Sequence, residues 1–149
     1  MRGTETPSKI SRDAGTVVTL IAQEQQQLRY AVVYSDNRGV THFRDDYLPW
    51  QQSQGDRNLP GSLTLTPYVE AEKLGFLHLP KGYDADWHPA PGKRFVMVLT
   101  GVGEVEVGDG ERRTFTPGSI LLVTDVSGQG HRTRVMGEHD VLIAWVPVP

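Results

Sequence analysis

The feature that most constrains this chain is its punctuation. Through the second half, short β-branched and aromatic runs alternate with Gly, Pro and Asx turns, and no stretch keeps the 3.6-residue period of a helix. Arg94–Thr100 (RFVMVLT) is nearly continuous β-type sequence and stops at Gly101. Glu104–Val107 (EVEV) alternates, Gly108-Asp109-Gly110 turns, and Glu111–Phe115 returns. Pro117-Gly118 then precedes Ser119–Thr124 (SILLVT), and His131–Val135 and Val141–Val148 complete the series. Upstream, Tyr30–Tyr34 and Val40–Arg44 flank Ser35-Asp36-Asn37-Arg38-Gly39, which predicts another hairpin. Thr16–Ala22, Ser62–Tyr68 and Gly75–Pro80 read as further strands, and Asp45–Leu59 as a long connection. About ten short strands with frequent turns predict an all-β antiparallel sandwich or barrel.

The length of 149 residues suits one domain. The polar start, residues 1–14, is predicted to be a flexible leader, and residues 15–149 a single domain. A net charge of −3 without basic clusters argues against a nucleic-acid partner and against a membrane surface. With no cysteine, thiolate nucleophiles, thiolate metal ligands and disulfides are excluded. The first residues lack the apolar segment of a secretory signal, and no apolar run approaches a membrane span, so the expectation is a cytoplasmic protein.

Three short motifs carry a resemblance. They are Trp87-His88-Pro89-Ala90-Pro91 followed by Arg94 through Gly101, Pro117-Gly118 after the hairpin, and Gly130-His131. In order and spacing, Gly75–Val148 resembles the cupin superfamily. That resemblance implies a double-stranded β-helix (jelly-roll) barrel with a small-molecule site at its mouth. In cupins a first motif supplies two histidines and a glutamate, and a second motif supplies another histidine. His88 matches the first histidine and His131 the last. Ala90 stands where the second histidine belongs, and Arg94 stands where the glutamate belongs. The resemblance also implies that these positions point inward and that the chain is a homodimer, with Thr16–Ala22 a candidate exchanged edge.

A transition metal needs three or four converging donors. His88 and His131 are two, and a permanently charged guanidinium at position 94 opposes a cation there. No metal or other cofactor is therefore favoured; if a divalent transition metal is held, His88 and His131 hold it. Without a metal, the same positions form an acid/base and anion site. Imidazole both gives and takes a proton near neutral pH, and Arg94 offers fixed donors to a carboxylate, enolate or phenolate. The alternative for Arg94 is pairing with Asp125 or Asp86.

His88, His131 and Arg94 are the candidate catalytic residues. His78, Trp87, Val96, Val98, Asp125 and Trp145 are the candidate substrate contacts. Val96 and Val98 share a face with Arg94 by the period of two. His78 points opposite to Leu77 and Leu79. Trp87 and His88 point to opposite sides of their strand. Asp125–Gly130 is either a closing loop over a ligand or a plain turn. The expected function is metal-independent acid/base chemistry on a small molecule: isomerisation, dehydration or cyclisation, the last because the chain is similar in size to cupin-type polyketide cyclases. A metal-dependent oxygenase or isomerase and a non-enzymatic ligand-binding protein are the alternatives.

Overall fold

The computed structural model of the protein describes residues 26–52 and 63–149. The expected leader 1–14 and the strand expected at Thr16–Ala22 lie outside the described residues. The chain divides into two compact units, Met1–Leu28 with Leu48–Pro67, and Arg29–Tyr47 with Tyr68–Pro149. In the first unit, β3 (Gln51–Gln52) and β4 (Thr64–Leu65) form a short antiparallel ladder pairing Gln51 with Leu65. The strand expected over Ser62–Tyr68 is thus only two residues long among the described ones, and Pro67 has no N–H to extend it.

The second unit carries the double-stranded β-helix. Its strands are β1 (Gln27–Ser35, whose first two residues belong to the first unit), β2 (Thr41–Pro49, whose last two do), β5 (Gly75–Leu79), β6 (Asp84–His88), β7 (Arg94–Thr100), β8 (Val102–Glu106), β9 (Arg112–Phe115), β10 (Ile120–Val123), β11 (His131–Met136) and β12 (Val141–Pro147). They form a six-stranded sheet in the order β2-β1-β10-β7-β12-β5 and a four-stranded sheet in the order β6-β11-β8-β9. One departure from the sequence reading matters. β1 pairs with β10 in parallel, Val32 opposite Leu122, so the sheet is mixed and not purely antiparallel. No local turn announces a pairing between segments this far apart. β6 is a strand although Asp84 and Asp86 have poor strand propensity; Arg132 of β11 grips Asp84 through two hydrogen bonds of 2.9 and 2.8 Å.

The period of two sorts the side chains. Val98, Val105, Phe115, Leu121, Val123, Val141 and Ile143 meet in one buried cluster drawn from both sheets. Each such aliphatic side chain contributes about 1.5–3 kcal/mol when fully withdrawn from water. On the outer face of the four-stranded sheet, charges pair: Arg134 reaches Glu104 and Glu106 at 2.7 Å each. Arg113 shares the other face with Phe115, lies 4.7 Å over the Phe43 ring, and reaches Asp45 at 2.9 Å and Glu111 at 2.7 Å. The long connection expected from Asp45 begins later than predicted, because β2 continues to Pro49 and Asp45 is tied to Arg29 and Arg113. No helix among the described residues is long and apolar enough to cross a membrane.

Candidate functional site

A cavity of about 160 Å³ lies inside the second unit. Its wall is mostly aliphatic, including Leu77, Leu79, Val96, Val98 and Ile143. His88, Ala90, Arg94 and His131 all line it, so the four positions singled out by the motifs converge on one space. An irregularity in the pairing of β6 with β11 makes this possible. Thr133 lies opposite Ala85, yet His131 lies opposite His88, so β6 carries one extra residue between the two pairs. The bulge resets the alternation and turns His88 inward. Trp87 does not line the cavity, which corrects its place among the substrate contacts; with His88 turned inward, the next residue on the strand faces away.

The two imidazoles are neighbours, with ring centroids 4.8 Å apart and planes inclined by 55°. Each is held through Nδ1. His88 Nδ1 lies 2.7 Å from the Asp86 carbonyl oxygen, which only accepts, so in the neutral ring Nδ1 carries the hydrogen and Nε2 keeps its lone pair. His131 Nδ1 lies 2.7 Å from Asp125 Oδ2. Asp125 is 0% exposed and lies behind His131, outside the cavity wall. It bonds the back of the His131 ring and does not reach the cavity wall, where a substrate contact would stand. Its second oxygen, Oδ1, has no hydrogen-bond partner among the described residues, an arrangement that costs on the order of 1–3 kcal/mol.

The backbone around the pair is pinned. Ala90 N–H donates to Asp125 O at 2.9 Å, joining the two motifs. Gly130 has φ 79°, and a Cβ there would run into the His88 carbonyl and Pro89. Only glycine allows the two histidine strands to approach this closely. Buried Thr41 donates from Oγ1 to Gly130 O and accepts from Gly108 N–H, both at 2.6 Å. Gln129 N–H donates to Gly39 O at 3.2 Å and Ser35 Oγ to Ser127 O at 2.9 Å. Of the two readings of the Asp125–Gly130 loop, this bonding favours the turn, strapped to the β1–β2 hairpin.

Arg94 is placed differently from the surface arginines. Its Nε donates to Gly92 O at 2.9 Å, and its guanidinium carbon lies 4.7 Å from the centre of a Trp145 ring. No Asp or Glu lies within salt-bridge distance among the described residues: Asp125 is taken by His131, and Asp86 offers its side chain to the Trp87 N–H. Trp145 lines the cavity beneath Arg94 and packs over Gly75, where a Cβ would meet the indole. Val96 and Val98 line the wall. His78 does not. Leu77 and Leu79 take the cavity face of β5, so His78 faces outward, with a side chain 61% exposed and Nε2 2.9 Å from Asp140 Oδ2. Two hydroxyl-bearing residues that sequence reasoning missed, Tyr83 and Thr133, line the cavity. Thr133 was findable as the residue two after His131 on the same strand face. Tyr83 was not, because the bulge between it and His88 breaks the alternation.

The donor set does not fit a metal site of the kind the motifs imply. Two imidazoles face the cavity, but a methyl group and a guanidinium occupy the other two positions. Among the described residues no three His, Asp or Glu side chains are grouped to hold an ion.

Residues 75–147 match the family described as the cupin domain. None of the curated proteins matches the chain. Among solved structures, the chain is similar to a cupin 2 conserved barrel domain protein from Leptotrichia buccalis, with 22% identity and a TM-score of 0.41 over 51% of this chain and 35% of that one. It is also similar to a cupin 2 conserved barrel domain protein from Salinispora arenicola, with 20% identity and a TM-score of 0.44 over 68% of this chain and 76% of that one. A third similar structure is the Cnp3 cupin domain of Schizosaccharomyces pombe, with 12% identity and a TM-score of 0.44 over 87% of this chain and 88% of that one. The chain thus spans about a third of the Leptotrichia protein that it matches.

Proposed function

Starting from the chain's membership of the cupin superfamily, we propose that it is a small-molecule enzyme whose cavity performs acid/base chemistry without a metal. The observation that carries this is the histidine pair. Two imidazoles with centroids 4.8 Å apart are each tied at Nδ1, which leaves both Nε2 atoms for a ligand in the cavity. One ring removes a proton from the carbon next to a carbonyl while the other delivers a proton to oxygen or to the neighbouring carbon. The net result is isomerisation. Where the neighbouring carbon bears a hydroxyl, the delivered proton leaves with it as water, giving dehydration. Where a second carbonyl lies within the same molecule, the carbanion closes a ring. Arg94 supplies positive charge to the ligand oxygens, and Asp125 holds the His131 ring in one orientation.

Deuterium exchange tests this without knowledge of the natural substrate. 2-Oxobutanoate carries an enolisable carbon and is small enough for the cavity. Incubated in D2O and followed by NMR, its C3 hydrogens exchange at least about 100-fold faster with the protein than with buffer, in the range a positioned acid/base pair supplies. His88→Ala and His131→Ala remove the acceleration while circular dichroism stays unchanged. Exchange at the buffer rate, or acceleration that survives both substitutions, overturns the proposal.

We also propose that the chain forms a homodimer. Phe76 (64% exposed) and Leu99 (43% exposed) stand on the outer side of the six-stranded sheet, away from the cavity-lining residues of their strands, and support this reading. Light scattering at two concentrations gives twice the chain mass; a monomer mass at both refutes it.

A further inference from the structure

We infer that the cavity selects small monocarboxylates whose apolar body is about the size of a benzene ring, with the carboxylate docked on Arg94. This builds on the reading of the cavity as a ligand site and names the class of ligand it takes.

The first support is an unbalanced charge. Among the described residues no Asp or Glu lines the cavity, and the guanidinium of Arg94 has no carboxylate partner. Arg113, Arg132 and Arg134, by contrast, each meet one or more carboxylates at 2.7–2.9 Å. A charge kept from water on one side and given no acid is stabilised by the ligand that brings one. The second support is fixed geometry. The Nε–Gly92 bond and the Trp145 ring set the plane of the guanidinium, which leaves its terminal N–H groups for an acceptor. A planar fork of N–H donors matches the two oxygens of a carboxylate. A phosphate monoester carries close to two negative charges, and among the described residues Arg94 is the one Arg or Lys that lines the cavity. The third support is size. An apolar cavity of about 150 Å³ takes a benzene molecule, and this one is about 160 Å³ with a wall of Leu, Val and Ile side chains.

Titration calorimetry with benzoate, its neutral isostere benzamide and phenyl phosphate tests the inference. Benzoate binds the wild-type protein about 10- to 100-fold more tightly than benzamide, the range for hydrogen bonds to charged groups, and more tightly than phenyl phosphate. Arg94→Met keeps an apolar stem over Trp145 and brings benzoate down to the benzamide level. Arg94→Lys keeps the charge but loses the fork, and falls between. Equal binding of benzoate and benzamide overturns the inference, as does a preference that survives Arg94→Met, or tighter binding of phenyl phosphate. If Arg94→Met does not fold, the wild-type ratio and Arg94→Lys still decide. Binding is read without turnover: failure here leaves the histidine chemistry standing, and a protein that prefers benzoate but exchanges no deuterium leaves this inference standing.

Discussion

Strand β11 shows the molecule's two environments within four residues. His131 and Thr133 line the cavity; between and after them, Arg132 and Arg134 point out and end on Asp84, Glu104 and Glu106. On the outside, each of these cations meets an anion, and the more exposed pair, Arg132 with Asp84, adds little net stability. On the inside, the cation Arg94 and the two histidines face an aliphatic space, and the buried acid Asp125 is turned onto the back of His131. The outer face is electrostatically complete. The inner one is incomplete in a way that a ligand completes.

The sharpest way to break the contrast is to move the two histidine strands apart. Gly130→Ala places a Cβ on the His88 backbone at a positive φ, and is expected to lower stability by about 3 kcal/mol and to abolish ligand-driven deuterium exchange, read by urea denaturation and NMR. A milder change inverts the cavity's charge. Arg94→Glu combined with Ala90→His supplies four donors around one space, and zinc at 100 times its dissociation constant then raises stability by about 2.7 kcal/mol. A double variant that ignores zinc shows that the four positions do not converge.

On the outside, substitutions are expected to do less. His42 bridges Asp36 at 3.0 Å and Asp109 at 2.7 Å. The hydrogen bond that His42 donates to Asp36, then that to Asp109, holds the imidazolium above its usual 6.5; accepting the same bond lowers Asp36 to about 2. A raised histidine stabilises fully below 6.5 and ceases to as pH rises through its folded value. A lowered aspartate stabilises above 3.8 and ceases to as pH falls towards 2. The thermal midpoint is therefore expected to be highest between these limits, and His42→Ala removes the alkaline decline. Smallest of all, a double-mutant cycle on Arg132 and Asp84, whose side chains are 32% and 44% exposed, returns no more than about 1 kcal/mol of coupling; several kcal/mol there erases the distinction between paired surface and open cavity.

Much of this was legible in the chain. Val96, Val98 and Arg94 share a face by simple alternation, and the Gly and Pro turns mark hairpins such as Glu104–Phe115. What alternation cannot reveal is where it is interrupted. The bulge in β6 decides that His88, and not Trp87, faces the cavity. Position 78 was ambiguous for a related reason: the period of two places His78 opposite Leu77 and Leu79, but nothing local says which side is the cavity. Asp125 was visible as a candidate, but its role depends on the His131 ring of the next strand reaching back to it, a tertiary contact with no sequence signature.

The central claim is that Arg94 and Ala90 have turned a metal-binding geometry into an anion-accepting one. Metal content measured by mass spectrometry, on untagged protein purified without chelator, tests it most directly. The account predicts far less than one transition metal per chain, and deuterium exchange that does not change when iron, zinc or manganese is added. About one metal per chain, with exchange that depends on it, would contradict the account.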